Sequence, residues 1–314
     1  MLNNIPPAAQ GEVMNTCTKT NDSGISHRHT PKPDRLGTFF HLVFICCAMV
    51  GVVSLATIAW FLFSEGLAAF RQAGVIELVF GSEWLPPALF GIFPMIAASL
   101  ISTLGAVLTG VPVAVLTAVF LAELAPKWLA DIVRPAVELL AGIPSVVYGF
   151  FGLVVIVPAI EVLFNIPAGN TLLAGIIVLA IMILPTVITI SETSIRALPP
   201  VYKEGALALG ASHIYSIFKV LIPAARSGIL TGVALGVARA IGETMAIIMV
   251  MGNAPAMPGS ILEPARTLTA NIAMEMSYAT GIHASALYST GIVLLIFIVL
   301  LNTGLLYINK KRVH

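Results

Sequence analysis

Six long apolar runs organise the chain, and the stretches between them hold nearly all of its charge. They cover residues 39–63, 92–121, 137–160, 172–190, 229–251 and 286–308. Each approaches or exceeds the ~20 residues with which an α-helix crosses the hydrocarbon of a bilayer. A segment in lipid must satisfy its own backbone N–H and C=O groups, and no run alternates as a barrel strand does, so all six predict helices. The expected fold class is all-α, a polytopic membrane protein with six transmembrane helices. Pro112, Pro144, Pro158 and Pro185 fall inside runs, and Gly142, Gly149 and Gly152 loosen the third. Such residues are tolerated where neighbouring helices or a cavity satisfy the freed backbone groups.

Composition agrees with a lipid environment: 58% of residues are hydrophobic and only 10% charged, where a soluble domain carries roughly 25% charged residues. A net charge of +1 gives no bulk basic character that would suit nucleic acid. Residues 1–35 are polar and lack the basic-then-apolar pattern of a secretory signal. They read as a disordered cytoplasmic tail. His27 and His29 in that tail are too loosely held for a metal site. Cys17, Cys46 and Cys47 form neither a metal-spaced set nor a disulfide scaffold. Cys46 and Cys47 are expected to be buried bystanders, and no metal or cofactor is expected.

Charge also sets orientation. Thirteen of the sixteen Lys and Arg residues lie in the N-terminal tail, in the loops after the second and fourth runs, and at the C-terminus. Arg71 and Arg266 alone lie on the other side, and Arg239 lies within the fifth run. The positive-inside rule places both termini in the cytoplasm, which an even number of spans requires. Residues 64–91 and 252–285 are then outward loops. Trp84, beside Pro86 and Pro87, suits the interface, and 272–277 reads as a short interfacial helix.

The loop at about 198–228 is too long for a simple hairpin and too apolar for a solvated linker. It reads as two short helices, 203–209 and 213–221. Gly210 takes the left-handed conformation at the first stop, Ser212 caps the second helix, and Pro223 redirects the chain. A rigid docking element and an ordinary amphipathic re-entry both fit. This loop resembles the EAA loop of the integral subunits of bacterial ATP-binding-cassette importers. That pattern is Glu-Ala-Ala, three residues, Gly, nine residues, Ile, one residue, Leu-Pro, and here it reads Glu204-Gly205-Ala206, Gly210, Val220 and Ile222-Pro223. Gly205, Val220 and Ile222 depart from it, and Gly205 weakens the first helix by about 1 kcal/mol against Ala. The resemblance implies that Glu204, Gly205, Ala206, Gly210 and Pro223 couple the chain to a cytoplasmic ATPase.

Arg239 and Glu243, four residues apart in the fifth run, would share a helix face. Gly228, Gly232 and Gly236 repeat at the same interval and permit close approach of another helix. A buried charge in an apolar run demands a partner. The pair fits a structural lock between helices; the importer resemblance adds the alternative of an anion pathway, in which the guanidinium fork of Arg239 meets an oxyanion. Ser145, Tyr148 and Thr186 are either pore-lining polar groups or partners of a kinked backbone. Glu192 and Arg196, also four apart, are a gate or a helix-end ion pair.

Three segments carry a closer resemblance, covering roughly 36–312, to the phosphate-specific ABC permease subunits of the PstC type. They are the run from Glu138 through Gly142-Ile143-Pro144-Ser145 to Phe150, the residues Pro185-Thr186, Ser191-Glu192 and Arg196-Ala197-Leu198-Pro199, and Arg239 through Gly242-Glu243-Thr244-Met245-Ala246. Met245-Ala246 sets it apart from the A-type subunit, which has Ala-Pro there. The resemblance implies a type I ABC importer permease fold over 36–312 and a translocation pathway for inorganic phosphate. It implies as partners an A-type second permease, two copies of a B-type ATPase and an extracytoplasmic S-type phosphate-binding protein. No Gly-x-x-x-x-Gly-Lys-Ser/Thr run occurs, so ATP hydrolysis is expected from a separate subunit and the chain is not expected to be an enzyme. Another oxyanion such as sulfate or molybdate, or an autonomous carrier, are the alternatives.

Overall fold

The computed structural model describes residues 35–311 and turns the first apolar run into one helix, α1 (Arg35–Ala73). The N-terminal tail, with Cys17, His27 and His29, and the chain end from 312 lie outside the described residues. α1 continues past the expected end of its run because helix formers such as Glu65, Leu67, Ala68 and Ala69 follow, and it stops at Gly74, whose φ is 82°. The outward loop 64–91 is therefore largely helical, with α2 (Val75–Phe80) and a two-strand hairpin, β1 (Trp84–Leu85) and β2 (Leu89–Phe90), pairing Trp84 with Phe90. Cys46 and Cys47 are exposed on α1, not buried in protein. In an apolar span, lipid can supply the environment that a soluble core would otherwise provide.

The second span is α3 (Phe93–Val119), which widens at its end into a π turn, Phe120–Leu124. The third run divides. Its first residues belong to α4 (Lys127–Gly142), an amphipathic helix that ends before Ile143 and Pro144, both extended. Proline cannot donate to the ladder and disfavours helical geometry at the residue before it. The span itself comprises α5 (Ser145–Phe151), a π turn (Gly152–Ile156) and α6 (Val157–Phe164). The fourth is α7 (Leu172–Arg196), capped by the Thr171 hydroxyl.

The coupling loop carries α8 (Val201–Ala208) and α9 (His213–Ser216), and α9 runs through a π turn (Ile217–Leu221) into α10 (Ile222–Gly242). Pro158 and Pro223 were expected to interrupt or redirect the chain. Neither does. Each follows a π turn whose last bond reaches five residues back, from Val157 to Gly152 and from Ile222 to Ile217. The wider turn makes room for the ring and absorbs the missing donor. The fifth span accordingly starts earlier than the apolar run and ends earlier, at Gly242. The rest of that run is a separate helix, α11 (Met245–Val250). The expected helix at 272–277 is α12 (Leu268–Glu275), set earlier by the capping Thr267 hydroxyl, with Leu268, Ala270, Asn271 and Glu275 buried. The last span is α13 (Ile282–Lys311).

Among the described residues six helices are long and apolar enough to cross a membrane. α7 is the most enclosed of them, with α3 and α10 against it. Small residues permit this. A Cβ at Gly105 would lie 2.8 Å from Ile176, and one at Gly236 would lie 2.8 Å from Val187. The Gly228, Gly232 and Gly236 stripe meets Ser194, Ile190 and Val187 of α7 in the same chain.

Candidate functional site

Two broken helices face each other. At the first break the Tyr148 hydroxyl donates to the Leu140 carbonyl at 2.6 Å, crossing from α5 back to the last turn of α4. That carbonyl also accepts the Ile143 N–H at 3.2 Å, while Pro144 offers it no N–H four residues on. At the second break Glu243 is extended, with φ −68° and ψ 132°. Its Oε1 accepts the Ala246 N–H at 3.0 Å and so caps α11, while its own carbonyl accepts the Thr269 hydroxyl at 2.8 Å. The half-helices beyond the breaks touch: a Cβ on Gly149 would lie 2.7 Å from the Ala246 Cα.

Arg239 and Glu243 form no ion pair among the described residues, because the chain leaves the helix after Gly242 and the Glu243 carboxylate turns to the Ala246 N–H. Arg239 stands in the last turn of α10, not at the middle of its span. It is partly buried and makes no hydrogen bond or ion pair among the described residues. Gly149, next to Tyr148, packs on Ala246 just past the end of α10 that carries Arg239, so the two breaks lie together. Ser145, the first residue of α5, and Thr186, beside Pro185 in α7, are partly buried and have no side-chain hydrogen-bond partner among the described residues. A cation in such apolar surroundings is stabilised by any anion that reaches it.

At the other end of the spans, Gly210 closes α8 with a φ of 86°, and the Ser212 hydroxyl accepts the Tyr215 N–H at 3.3 Å. Gly205, Ala206 and Gly210 line a groove of about 690 Å³ together with Tyr202, Leu209 and Tyr215. Glu204 sits in the first turn of α8, and Pro223 sits in the first turn of α10. Glu192 is buried. Its Oε1 accepts from Arg134 Nε at 2.6 Å and lies 3.4 Å from Arg196 Nε. The expected i,i+4 pair exists, and Arg134 makes the shorter contact. Lys203 of α8 donates to Glu123 at 2.6 Å.

A third charged centre lies under the outer hairpin. The buried Glu275 carboxylate accepts from Arg266 at 2.6 Å and Trp84 Nε1 at 2.9 Å, with His283 Nε2 at 2.8 Å. Arg266 also donates to the Asn253 carbonyl and to Asn271 Oδ1. Sequence spacing shows neither Arg134–Glu192 nor Trp84–Glu275, because the partners are 58 and 191 residues apart. The signal that was present is chemical: an acid in an otherwise apolar stretch requires a donor from somewhere.

Residues 110–314 match the family described as the binding-protein-dependent transport system inner membrane component. The chain belongs to that family. Binding-protein-dependent permeases similar to it include a probable ABC transporter permease protein, YqgH, of Bacillus subtilis, 39% identical over 86% of this chain and 90% of that protein. The phosphate transport system permease protein PstC of Xylella fastidiosa is 34% identical over 88% of this chain and 92% of its own length. In fold the chain resembles a bacterial ABC transporter involved in the import of the acidic polysaccharide alginate, at 15% identity and a TM-score of 0.57, covering 88% of this chain and 99% of that one. The protein is thus a multi-pass inner membrane permease subunit of an ABC importer, forming the translocation pathway with a partner permease. An ATPase and an extracytoplasmic binding protein complete such a system.

Proposed function

We propose that this permease carries inorganic phosphate. The observation that carries the reading is Arg239, a partly buried guanidinium with no counter-ion among the described residues, in the last turn of α10 before the helix breaks. A planar fork that stays protonated when desolvated suits a tetrahedral oxyanion, and a site with one such group holds the anion weakly enough to release it. Likeness to a phosphate transport permease over most of the chain supports phosphate as that oxyanion. Ser145, Tyr148 and Thr186 complete the polar lining of the pathway. Glu243 shapes it by capping α11.

Residues 36–312 act as one permease domain with both termini in the cytoplasm, the orientation favoured by the distribution of Lys and Arg. The groove formed by Gly205, Ala206 and Gly210 receives a B-type ATPase, present in two copies, and Glu204 and Pro223 frame it. The remaining partners are an A-type permease and an S-type phosphate-binding protein. The chain itself is non-catalytic and needs no cofactor. Purification of the whole complex with its binding protein tests this. ATP hydrolysis is expected to rise with phosphate and to stay at its basal rate with sulfate or molybdate. Stimulation by either of those anions and not by phosphate overturns the substrate.

A further inference from the structure

The π turn at the end of α3 leaves one carbonyl without a donor, and its replacement donor points to a device for transmission. The Ala125 N–H reaches back to the Phe120 carbonyl. The next bond in that register would run from residue 126 to the Leu121 carbonyl, but residue 126 is proline and has no N–H. Arg134 fills the gap: its Nη2 donates to the Leu121 carbonyl at 3.0 Å while its Nε donates to Glu192 at 2.6 Å. One side chain thus ties α4 to the end of α3 and to α7. It does so beside Pro135, where the α4 ladder itself lacks a donor.

The same π turn is held from the cytoplasmic side. Glu123, two residues beyond Leu121, accepts from Lys203 of α8 at 2.6 Å, and His213 Nε2 of α9 lies 4.0 Å from the same oxygen. The far end of α4 presents the Leu140 carbonyl to Tyr148 at 2.6 Å. A series of part-buried hydrogen bonds, the first three of them charge-assisted, therefore joins the coupling loop to the broken third span.

We propose that Arg134 is a positioning residue that makes the coupling loop and α4 move as one body, so that a displacement imposed on α8 arrives at the break holding Tyr148. Lys203 and Glu123 join the loop to the π turn, and Arg134 joins the π turn to α4. This rests on the docking reading of the loop, and the experiment separates the two ideas.

Nitroxide labels at Val201→Cys and Leu139→Cys, both at exposed positions, are placed in the assembled transporter with its native cysteines replaced. Electron–electron distance measurements are made without nucleotide and with ATP and vanadate. One narrow distance in both states is expected for Arg134. Arg134→Gln is expected to broaden or split the distribution, Glu192→Gln to do so partially, and Arg134→Lys, which keeps the contact to Glu192, to restore most of the narrow component. ATP hydrolysis by the complex is expected to persist in the three variants. A nucleotide-dependent Val201–Leu139 distance with Arg134 in place, or unchanged narrow distributions in Arg134→Gln and Glu192→Gln, overturns the proposal. A second pair, Val201→Cys with Ile261→Cys, reports whether nucleotide moves the loop at all. No change there contradicts docking at the loop, while the nucleotide-free distributions still decide the role of Arg134.

Discussion

The Tyr148 hydroxyl donates to the Leu140 carbonyl at 2.6 Å across the break between α4 and α5. The bond joins the amphipathic helix to the membrane-spanning one at the point where Pro144 removes a backbone donor. The Tyr148 ring is buried, while the Leu140 carbonyl that it bonds lies on an exposed residue.

Tyr148→Phe removes that donor and keeps the ring. The Leu140 carbonyl keeps the Ile143 N–H at 3.2 Å, so the loss is that of one hydrogen bond, about 0.5–1.5 kcal/mol. The assembled complex is expected to form in normal yield but to melt at a lower temperature, with transport reduced. A melting temperature and transport rate equal to those of the unsubstituted complex would show that the bond carries neither stability nor the pathway.

Arg239 and Glu243 respond differently because they do different things. Glu243→Gln keeps an oxygen that accepts the Ala246 N–H, so assembly and transport are expected to persist. Glu243→Ala loses the cap, which costs about 1 kcal/mol, and transport is expected to fall. Arg239→Lys keeps the charge and loses the planar fork, so transport is expected to fall with assembly intact. Uptake and complex recovery, measured together, check all three. If the two residues formed an ion pair, Glu243→Gln would strand a buried cation at about 3–5 kcal/mol and damage both readouts.

Glu275 is the hub of the outer end, taking bonds from β1, α13 and the loop before α12. Glu275→Gln leaves Arg266 without its carboxylate, an expected loss of about 3–5 kcal/mol. Trp84→Phe forfeits one hydrogen bond to a charged group, about 1.5–3 kcal/mol. The melting temperatures of the two complexes are expected to fall in that order. The reverse order would mean that packing of the indole outweighs the charge.

How far the sequence carried these conclusions follows from the range of the interactions involved. The six spans were legible because lipid imposes a length and a composition that any apolar run must show. Gly210 and Ser212 were legible because helix stops and caps are local chemistry. Pro144 announced a true break, yet Pro158 and Pro223 did not, and the difference is the π turn preceding each of the latter. No local residue preference marks a π turn strongly enough to read. Arg239 and Glu243 were legible as neighbours by spacing, but not the break after Gly242 that gives the Glu243 carboxylate the Ala246 N–H to bond instead. Arg134–Glu192, Lys203–Glu123 and Trp84–Glu275 join distant segments, so only the packed structure could match donor to acceptor.

Phosphate import by this permease is tested most directly by uptake. Proteoliposomes holding the whole complex, with ATP inside and the phosphate-loaded binding protein outside, are given radiolabelled phosphate. Phosphate is expected to accumulate against its gradient, to depend on ATP, to be unaffected by excess sulfate or molybdate, and to fall strongly with Arg239→Lys. Accumulation of sulfate or molybdate with no phosphate uptake, or full uptake by an assembled complex carrying alanine at both Arg239 and Glu243, would contradict the account.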